Sequence, residues 1–288
     1  MNIINVLQNN LYVLLLISGF LGLIVGSFIN VIIHRLPIML QQTWQKECYA
    51  FLKQQAPNVK MYNLFFPRSH CPKCHNLIPL WHNIPLLSYL ILGGKCKHCH
   101  VAISWRYPLV ELLSAATAIW LVYFYGPTII TLALFILSSA LIAIVFIDFE
   151  HKLIPDNITL PLIWLGLLLN SQHAFISPAA AIIGAVAGYS IPWLIARIFK
   201  LARKTDGMGY GDFKLFALFG AWFGWQSLLL TLVFSSFLGS VVGITLMICK
   251  KHKFQQELPF GPYIIIAGWL NIFYGPQLWL WYLKILGT

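Results

Sequence analysis

The chain of 288 residues is 59% hydrophobic and only 9% charged, with a mean hydropathy of +0.77 and a formal net charge of +11. Soluble domains are roughly 45–50% apolar and about 25% charged, so this composition excludes both a soluble globular protein and a disordered chain. Six cysteines in 288 residues exclude a disulfide-dense scaffold, and we expect an integral membrane protein.

Apolar stretches recur along the chain. A helix needs about 20 such residues to cross a hydrocarbon core of roughly 30 Å. The sequence therefore predicts an all-α polytopic protein with about eight transmembrane helices, of which the fourth and sixth are short enough to be tilted, re-entrant or fused with a neighbour. The eight spans cover residues 11–33, 108–125, 127–147, 158–172, 178–199, 213–226, 228–249 and 260–283.

Lysine and arginine are distributed asymmetrically around these spans. If loop 34–107 is cytoplasmic, eighteen of the nineteen basic residues fall on that side and only Lys284 falls outside. Short cytoplasmic loops carry such an excess, so both termini are expected to face out. Residues 1–10 carry no charge and precede no small-residue cleavage site, so the first span is interpreted as a retained helix and not a signal peptide. The positive loop favours contact with anionic lipid over nucleic-acid binding.

Loop 34–107 contains two CxxC pairs. Cys71 and Cys74 form the first pair, and Cys96 and Cys99 follow after twenty-one residues. Four thiolates at this spacing can surround one Zn²⁺ tetrahedrally, with Zn–S distances of about 2.3 Å, and leave no position for water or substrate. A structural zinc that folds a loop with little core of its own is favoured over two disulfides, which a reducing compartment disfavours.

Other possible ligands surround these pairs. Cys48 and Cys249 have no partner in this scheme and are interpreted as buried or inert thiols. Any one of four neighbouring histidines could replace a cysteine as a ligand, but we expect them to be solvated: His70, His75, His98 and His100.

Aspartates mark the cytoplasmic ends of several predicted spans. Asp148 ends the apolar stretch 143–147, and Asp212 ends the glycine-rich segment 207–211. The chain crosses the membrane out and back once between them, so both carboxyls return to the same side and depth. Two carboxyls at one site share a proton, so one can act as a base toward water while the other acts as an acid toward a carbonyl oxygen. This pattern is typical of aspartyl proteases.

Other roles for the aspartates are open on the residues alone. Asp212 could cap the sixth span, and Asp156, which follows Pro155, is favoured as the N-cap of the fourth. Transporters also place aspartates at the ends of half-helices, although a proton-coupled transporter would need charges near the membrane midplane. A further alternative is a membrane scaffold whose zinc loop recruits an assembly partner.

The other acidic residues are weaker candidates. Glu111, at the start of the second span, could pair with Arg106 or serve the active site. Glu150 and Asp206 are expected to be solvated. Glu257 precedes a broken start of the last helix, which we expect to pack near the cleft.

Motifs along nearly the whole chain resemble the bacterial type IV prepilin peptidases, which are leader peptidases and N-methyltransferases of the GxGD aspartyl protease type. The GxGD residues are Gly209-Tyr-Gly-Asp212, which alone would be a weak signal. Seven segments in order carry the resemblance: 26–37, 69–74 with Cys96 and Cys99, 84–89, 104–111, 147–156, 207–214 and 258–262.

The resemblance implies that Asp148 and Asp212 cut the short basic leader from type IV prepilins and type II secretion pseudopilins, at the cytoplasmic face of the bacterial inner membrane. It also implies methylation of the new N-terminal residue from S-adenosylmethionine. No glycine-rich methyltransferase motif is evident, so no residue is assigned to that cofactor. Family members without the cysteine pairs retain proteolysis, which agrees with a structural role for Zn²⁺.

A prepilin is further expected to carry an apolar helix directly after its cleavage point. Access from lipid between spans would keep that helix in the bilayer. Gly184 and Gly188 could admit it, or could pack within the bundle, which is the commoner arrangement.

The predicted organisation has three parts. A first transmembrane helix covers residues 1–33, a cytoplasmic zinc-binding domain covers 34–107, and a seven-helix membrane domain with the protease site covers 108–288. The expected partners are the prepilin substrates and the lipid bilayer, without nucleic acid.

Overall fold

The structure is a computed structural model that describes residues 10–55, 62–79, 85–204, 208–249 and 258–286. Its described part contains nine helices, which confirms the all-α class. They are α1 Leu11–Phe51, α2 Leu87–Ile91, α3 Arg106–Tyr125, α4 Ile129–His151, α5 Asp156–Ser171, α6 Pro178–Arg203, α7 Tyr210–Phe223, α8 Trp225–Ile248 and α9 Gly261–Leu286.

Five of these helices are long and apolar enough to cross a membrane: α1, α3, α4, α6 and α8. The chain is therefore a multi-pass membrane protein. The count of about eight spans stays a prediction.

Helix α1 is longer than its apolar stretch. It continues to Phe51 instead of ending at residue 33, with Pro37 inside it. Residues 39–51 are rich in strong helix formers such as Met, Leu, Gln, Lys and Glu, so the helix persists after the hydrophobic stretch ends. The helix therefore extends beyond the predicted span 11–33, whose membrane boundary stays a prediction.

Residues 1–143 and residues 144–288 form two compact units. In the first unit, α1 packs against α3 along a seam of small residues. A Cβ atom on Gly22 would lie 2.6 Å from Ala115 Cα, and one on Gly26 would lie 2.6 Å from Glu111 Cα. Only glycine allows the two backbones to approach this closely.

Helix α7 forms the centre of the second unit. It packs against α5, α6, α8 and α9, and ten of its fourteen residues are buried. A helix buried on all sides has to be apolar around its whole circumference, which accounts for its sequence of Phe, Leu, Ala and Trp. Its length of about 21 Å is short for a bilayer, so the short sixth span of the sequence prediction corresponds to a core helix.

Two glycines of α6 lie against α7. A Cβ atom on Gly188 would lie 2.6 Å from the carbonyl oxygen of Phe216, and one on Gly184 would overlap the carbonyl of Gly220. Of the two roles considered for Gly184 and Gly188, the structure therefore confirms packing within the bundle.

Asn170 connects three segments of the second unit and is fully buried. Its amide nitrogen donates to the carbonyl oxygens of Ala221 (2.9 Å) and Trp222 (3.0 Å) at the end of α7. Its amide oxygen accepts from the backbone N–H groups of Phe175 (3.0 Å) and Ile176 (3.2 Å). This one side chain satisfies backbone groups that helix geometry leaves without partners.

We predict that Asn170→Leu lowers the stability of the protein by about 2 kcal/mol or more, because buried backbone groups lose their partners. The measurement is the denaturation midpoint in detergent micelles. Ser171→Ala is the control, since Ser171 is exposed and bonds only within its own helix turn in the described structure. An equal midpoint for Asn170→Leu and wild type would contradict this role.

Candidate active site

Asp148 lies in the last turn of α4, and its side chain is only 5% exposed. Its Oδ2 atom is buried and has no hydrogen-bond partner among the described residues. The backbone of Gly261, the first residue of α9, lies directly against it, since a Cβ atom there would be 2.6 Å from Oδ2. A buried, unpartnered carboxyl oxygen is costly unless the site uses it.

Asp212 lies in the first turn of α7 and is 7% exposed. Its Oδ2 accepts a hydrogen bond from the N–H of Gly209 at 3.2 Å. Gly209 occupies the N-cap position and Asp212 lies three residues further on, so the alternative of Asp212 as the N-cap residue is wrong in position. The carboxyl nevertheless stabilises the helix start, because it satisfies one of the free N–H groups there.

Ile154 packs against Gly211, the neighbour of Asp212, and against Gly261, which contacts Asp148. A Cβ atom on Gly211 would lie 2.7 Å from Ile154 Cβ, and one on Gly261 would lie 3.1 Å from Ile154 Cδ1. The carboxyls of Asp148 and Asp212 are close enough to interact electrostatically. The structure thus places both aspartates in one buried site.

The sequence alone gives Ile154 no role. The available signal was its position in the segment 147–156, between two aspartates. The segment 258–262 was expected near the cleft, and the contact of Gly261 with Asp148 confirms this.

Asp156 does not serve as an N-cap. Pro155 occupies that position and Asp156 begins the helix. Its carboxylate instead forms an ion pair with Lys214 at 2.6 Å, and both side chains are partly exposed. The ion pair joins the start of α5 to Lys214 of α7, two residues after Asp212.

The remaining acids have varied surroundings. Glu111 in the first unit is buried and accepts a hydrogen bond from the N–H of Leu86 at 2.9 Å. A role for Glu111 in catalysis stays a prediction. Glu150 is exposed. Asp206 and Glu257 lie outside the described residues.

The four cysteines of the CxxC pairs come together in the first unit. All four sulfur atoms lie within 4.8 Å of one another: Cys71, Cys74, Cys96 and Cys99. The Sγ atoms of Cys71 and Cys99 are 3.8 Å apart. A tetrahedral ion with metal–sulfur distances of about 2.3 Å requires sulfurs about 3.8 Å apart. The cluster therefore has the donors and the size to bind a metal ion.

The two pairs are built by the same backbone turn. The N–H of His75 donates to the carbonyl oxygen of Cys71 at 2.9 Å, and the N–H of His100 donates to that of Cys96 at 3.0 Å. Both histidines have a left-handed backbone, with φ of 56° and 53°. The matching turns present two sulfurs each to a common centre.

Backbone N–H groups point at the sulfurs. Those of Cys74 and Lys73 lower the pKa of Cys71 to about 6. The equivalent groups of the second pair lower the pKa of Cys96. Since metals bind the thiolate, these N–H groups favour the ligand form of Cys71 and Cys96. A backbone hydrogen bond also lowers the pKa of Cys99, but burial and the neighbouring cysteines outweigh it and raise that pKa to about 11.

The predictions for the exposure of the neighbouring histidines and of the other two cysteines are only partly confirmed. All four histidines are exposed, as expected: His70, His75, His98 and His100. Cys48 and Cys249 were interpreted as buried or inert thiols; both are exposed, so the buried alternative is wrong.

Two protein-family models together match most of the chain. The family model for the bacterial peptidase A24 N-terminal domain matches residues 20–125, and the model for the type IV leader peptidase family matches residues 135–244. No solved structure matches.

Curated relatives cover nearly the whole length. The chain is 46% identical over 266 residues to the prepilin leader peptidase/N-methyltransferase of Aeromonas salmonicida (strain A449), covering 91% of each chain. It is 45% identical over 279 residues to that of Stutzerimonas stutzeri, covering 96% of each. It is 45% identical to that of Pseudomonas aeruginosa, covering 93% of this chain and 92% of the relative. With its buried aspartate pair and four-cysteine cluster, the chain belongs to the type IV leader peptidase family.

Proposed function

We propose that this protein removes the leader peptide from type IV prepilins and type II secretion pseudopilins and methylates the new N-terminal residue. The observation that supports the proteolytic activity is the pair Asp148 and Asp212, two buried carboxyls that interact within one site. The names of relatives that share more than 90% of the length support the substrate class and the second activity.

The two carboxyls share the work of peptide hydrolysis. The ionised one removes a proton from water, and the water oxygen adds to the scissile carbonyl carbon. The protonated one donates its proton to the carbonyl oxygen, which gives a tetrahedral diol. The diol collapses when a hydroxyl proton returns to one carboxyl and the other protonates the leaving nitrogen, so the C–N bond breaks and the pair regains its starting state.

Zn²⁺ is the metal proposed for the four-cysteine cluster. The thiolate donor set and the 3.8 Å sulfur separation fit a tetrahedral ion. Four sulfurs close the coordination sphere, so the ion would hold the two CxxC turns together and take no part in hydrolysis.

Replacement of one ligand tests this role. We predict that Cys71→Ser lowers the zinc content from about one ion per chain to well below half, while leader cleavage continues in the protein that remains folded. Metal analysis of the purified enzyme and a cleavage assay measure the two effects. Cys48→Ser is the matched control, because Cys48 is a free cysteine outside the cluster. Loss of cleavage with full zinc content would contradict the structural role.

S-adenosylmethionine is the proposed methyl donor, on the strength of the relatives' names alone. No side chain is assigned to it, and no step is derived through it.

The proposed location is the bacterial inner membrane with the active site at the cytoplasmic face. Eighteen of nineteen basic residues fall on one side of the predicted spans, which supports this orientation. Lys152, four residues after Asp148, and Lys214, two residues after Asp212, lie on that side.

Mass spectrometry of a co-expressed prepilin tests both activities together. We expect a prepilin that has lost its leader and gained about 14 Da, the mass of one methyl group. A prepilin that keeps its leader would overturn the proposal, and a shortened prepilin without added mass would remove the methyltransferase part.

A further inference from the structure

An open groove of about 490 Å³ lies on the second unit, between α8 and the start of α9. Small residues at helical spacing form one wall, and two aromatic residues form the other. Its principal lining residues are Ser236, Gly239, Ser240, Gly243, Phe260 and Tyr263. Helix α8, which forms the wall of small residues, is long and apolar enough to cross a membrane.

The groove adjoins the candidate active site through consecutive residues. Phe260 lines the groove, and Gly261, the next residue, lies against the carboxyl of Asp148. A scissile bond at Asp148 would lie next to Gly261, and the groove is an open space that adjoins this point.

The shape and surroundings of the groove define what can occupy it. A Cβ atom on Gly243 would make only one ordinary contact, with Leu258 Cδ1 at 3.6 Å, so the groove is not closed at this residue. Glycine and serine at this spacing allow a second helix to approach closely within a bilayer. A polypeptide at this depth also has to satisfy its own backbone hydrogen bonds, which a helix does.

We propose that this groove binds an apolar helical segment of the substrate that continues from the scissile bond into the bilayer. The inference rests on the proposed peptidase function and identifies the surface that holds the substrate in lipid. It differs from the seam of Gly184 and Gly188, which is already filled by α7.

Photocrosslinking in membranes tests the occupant. Full-length enzyme with Asp148→Asn, which should hold uncut prepilin, carries p-benzoylphenylalanine at Ile244 or at Val241. Ile244 lines the groove and Val241 does not, while both are exposed at 57% and 46% and lie within one turn of α8. We expect crosslinks to prepilin from position 244 and none from 241. Crosslinks from 244 only to lipid or to a second enzyme copy would overturn the proposal.

A kinetic comparison separates the groove from the active site. We expect Gly243→Leu to raise the KM for full-length prepilin at least about tenfold, because the new side chain fills the groove. A peptide that ends a few residues after the scissile bond should be cut at the wild-type rate, and Val241→Leu should leave both rates unchanged. Normal processing of prepilin by Gly243→Leu, or equal loss on both substrates with no crosslink at 244, would overturn the inference.

The same experiments distinguish failure of the proposed peptidase function from failure of the groove proposal. If wild-type enzyme cuts neither substrate, the peptidase assignment is wrong. If wild-type enzyme cuts prepilin but no groove probe reaches it, the peptidase assignment stands and the groove proposal falls.

Discussion

Either Asp148→Asn or Asp212→Asn is expected to reduce leader cleavage by about 10²–10⁴-fold, since each removes one half of a shared acid–base system. The double variant should be little worse than either single variant, because the two carboxyls act as a unit. The measurement is the rate of prepilin cleavage by purified enzyme in detergent or liposomes.

These substitutions are suited to the test because they preserve shape. In Asp212→Asn the amide oxygen can still accept the hydrogen bond from Gly209, so the start of α7 is retained. Glu150→Gln is the control: it neutralises an exposed acid two residues from Asp148. If either asparagine variant cuts at the wild-type rate, the pair is not catalytic and the scaffold alternative, in which the aspartates only support helix ends, gains weight.

Gly220→Ala is expected to destabilise the enzyme by about 3 kcal/mol or more, which is a large fraction of the stability of a typical protein. A Cβ atom on Gly220 would overlap the backbone carbonyl of Gly184, and one on Gly184 would overlap that of Gly220. Backbone atoms cannot rotate away as a side chain can, so α6 and α7 would have to separate. We expect less folded protein in the membrane and a lower denaturation midpoint.

Gly275→Ala is the matched control for this change. It also adds one methyl group to a helical glycine, but the nearest atoms would be 3.8 Å and 3.9 Å away, on Asn271. It should leave stability unchanged or raise it by up to about 1 kcal/mol, because alanine favours a helix. Equal midpoints for the two variants would show that the contact between α6 and α7 is not tight.

Local patterns predicted the features that depend on neighbouring residues. Hydrophobic stretches correspond to all the described helices except the short α2, and the CxxC spacing identified four cysteines that the structure brings together. Helix α1 continues past the end of its apolar stretch because helix propensity continues. The N-cap prediction for Asp156 is wrong, because Asp156 binds Lys214 instead of capping α5.

Composition and motif spacing were enough to establish a membrane protein, a four-cysteine cluster and two aspartates at the ends of apolar segments. Only the tertiary structure decided that Gly261 lies against Asp148, that Ile154 packs against Gly211 and Gly261 beside the two aspartates, and which glycines are covered by a helix and which line an open groove. The physical reason is that hydropathy and spacing report the environment of each segment, whereas contacts between distant segments depend on how backbones pack together, which no single stretch of sequence contains.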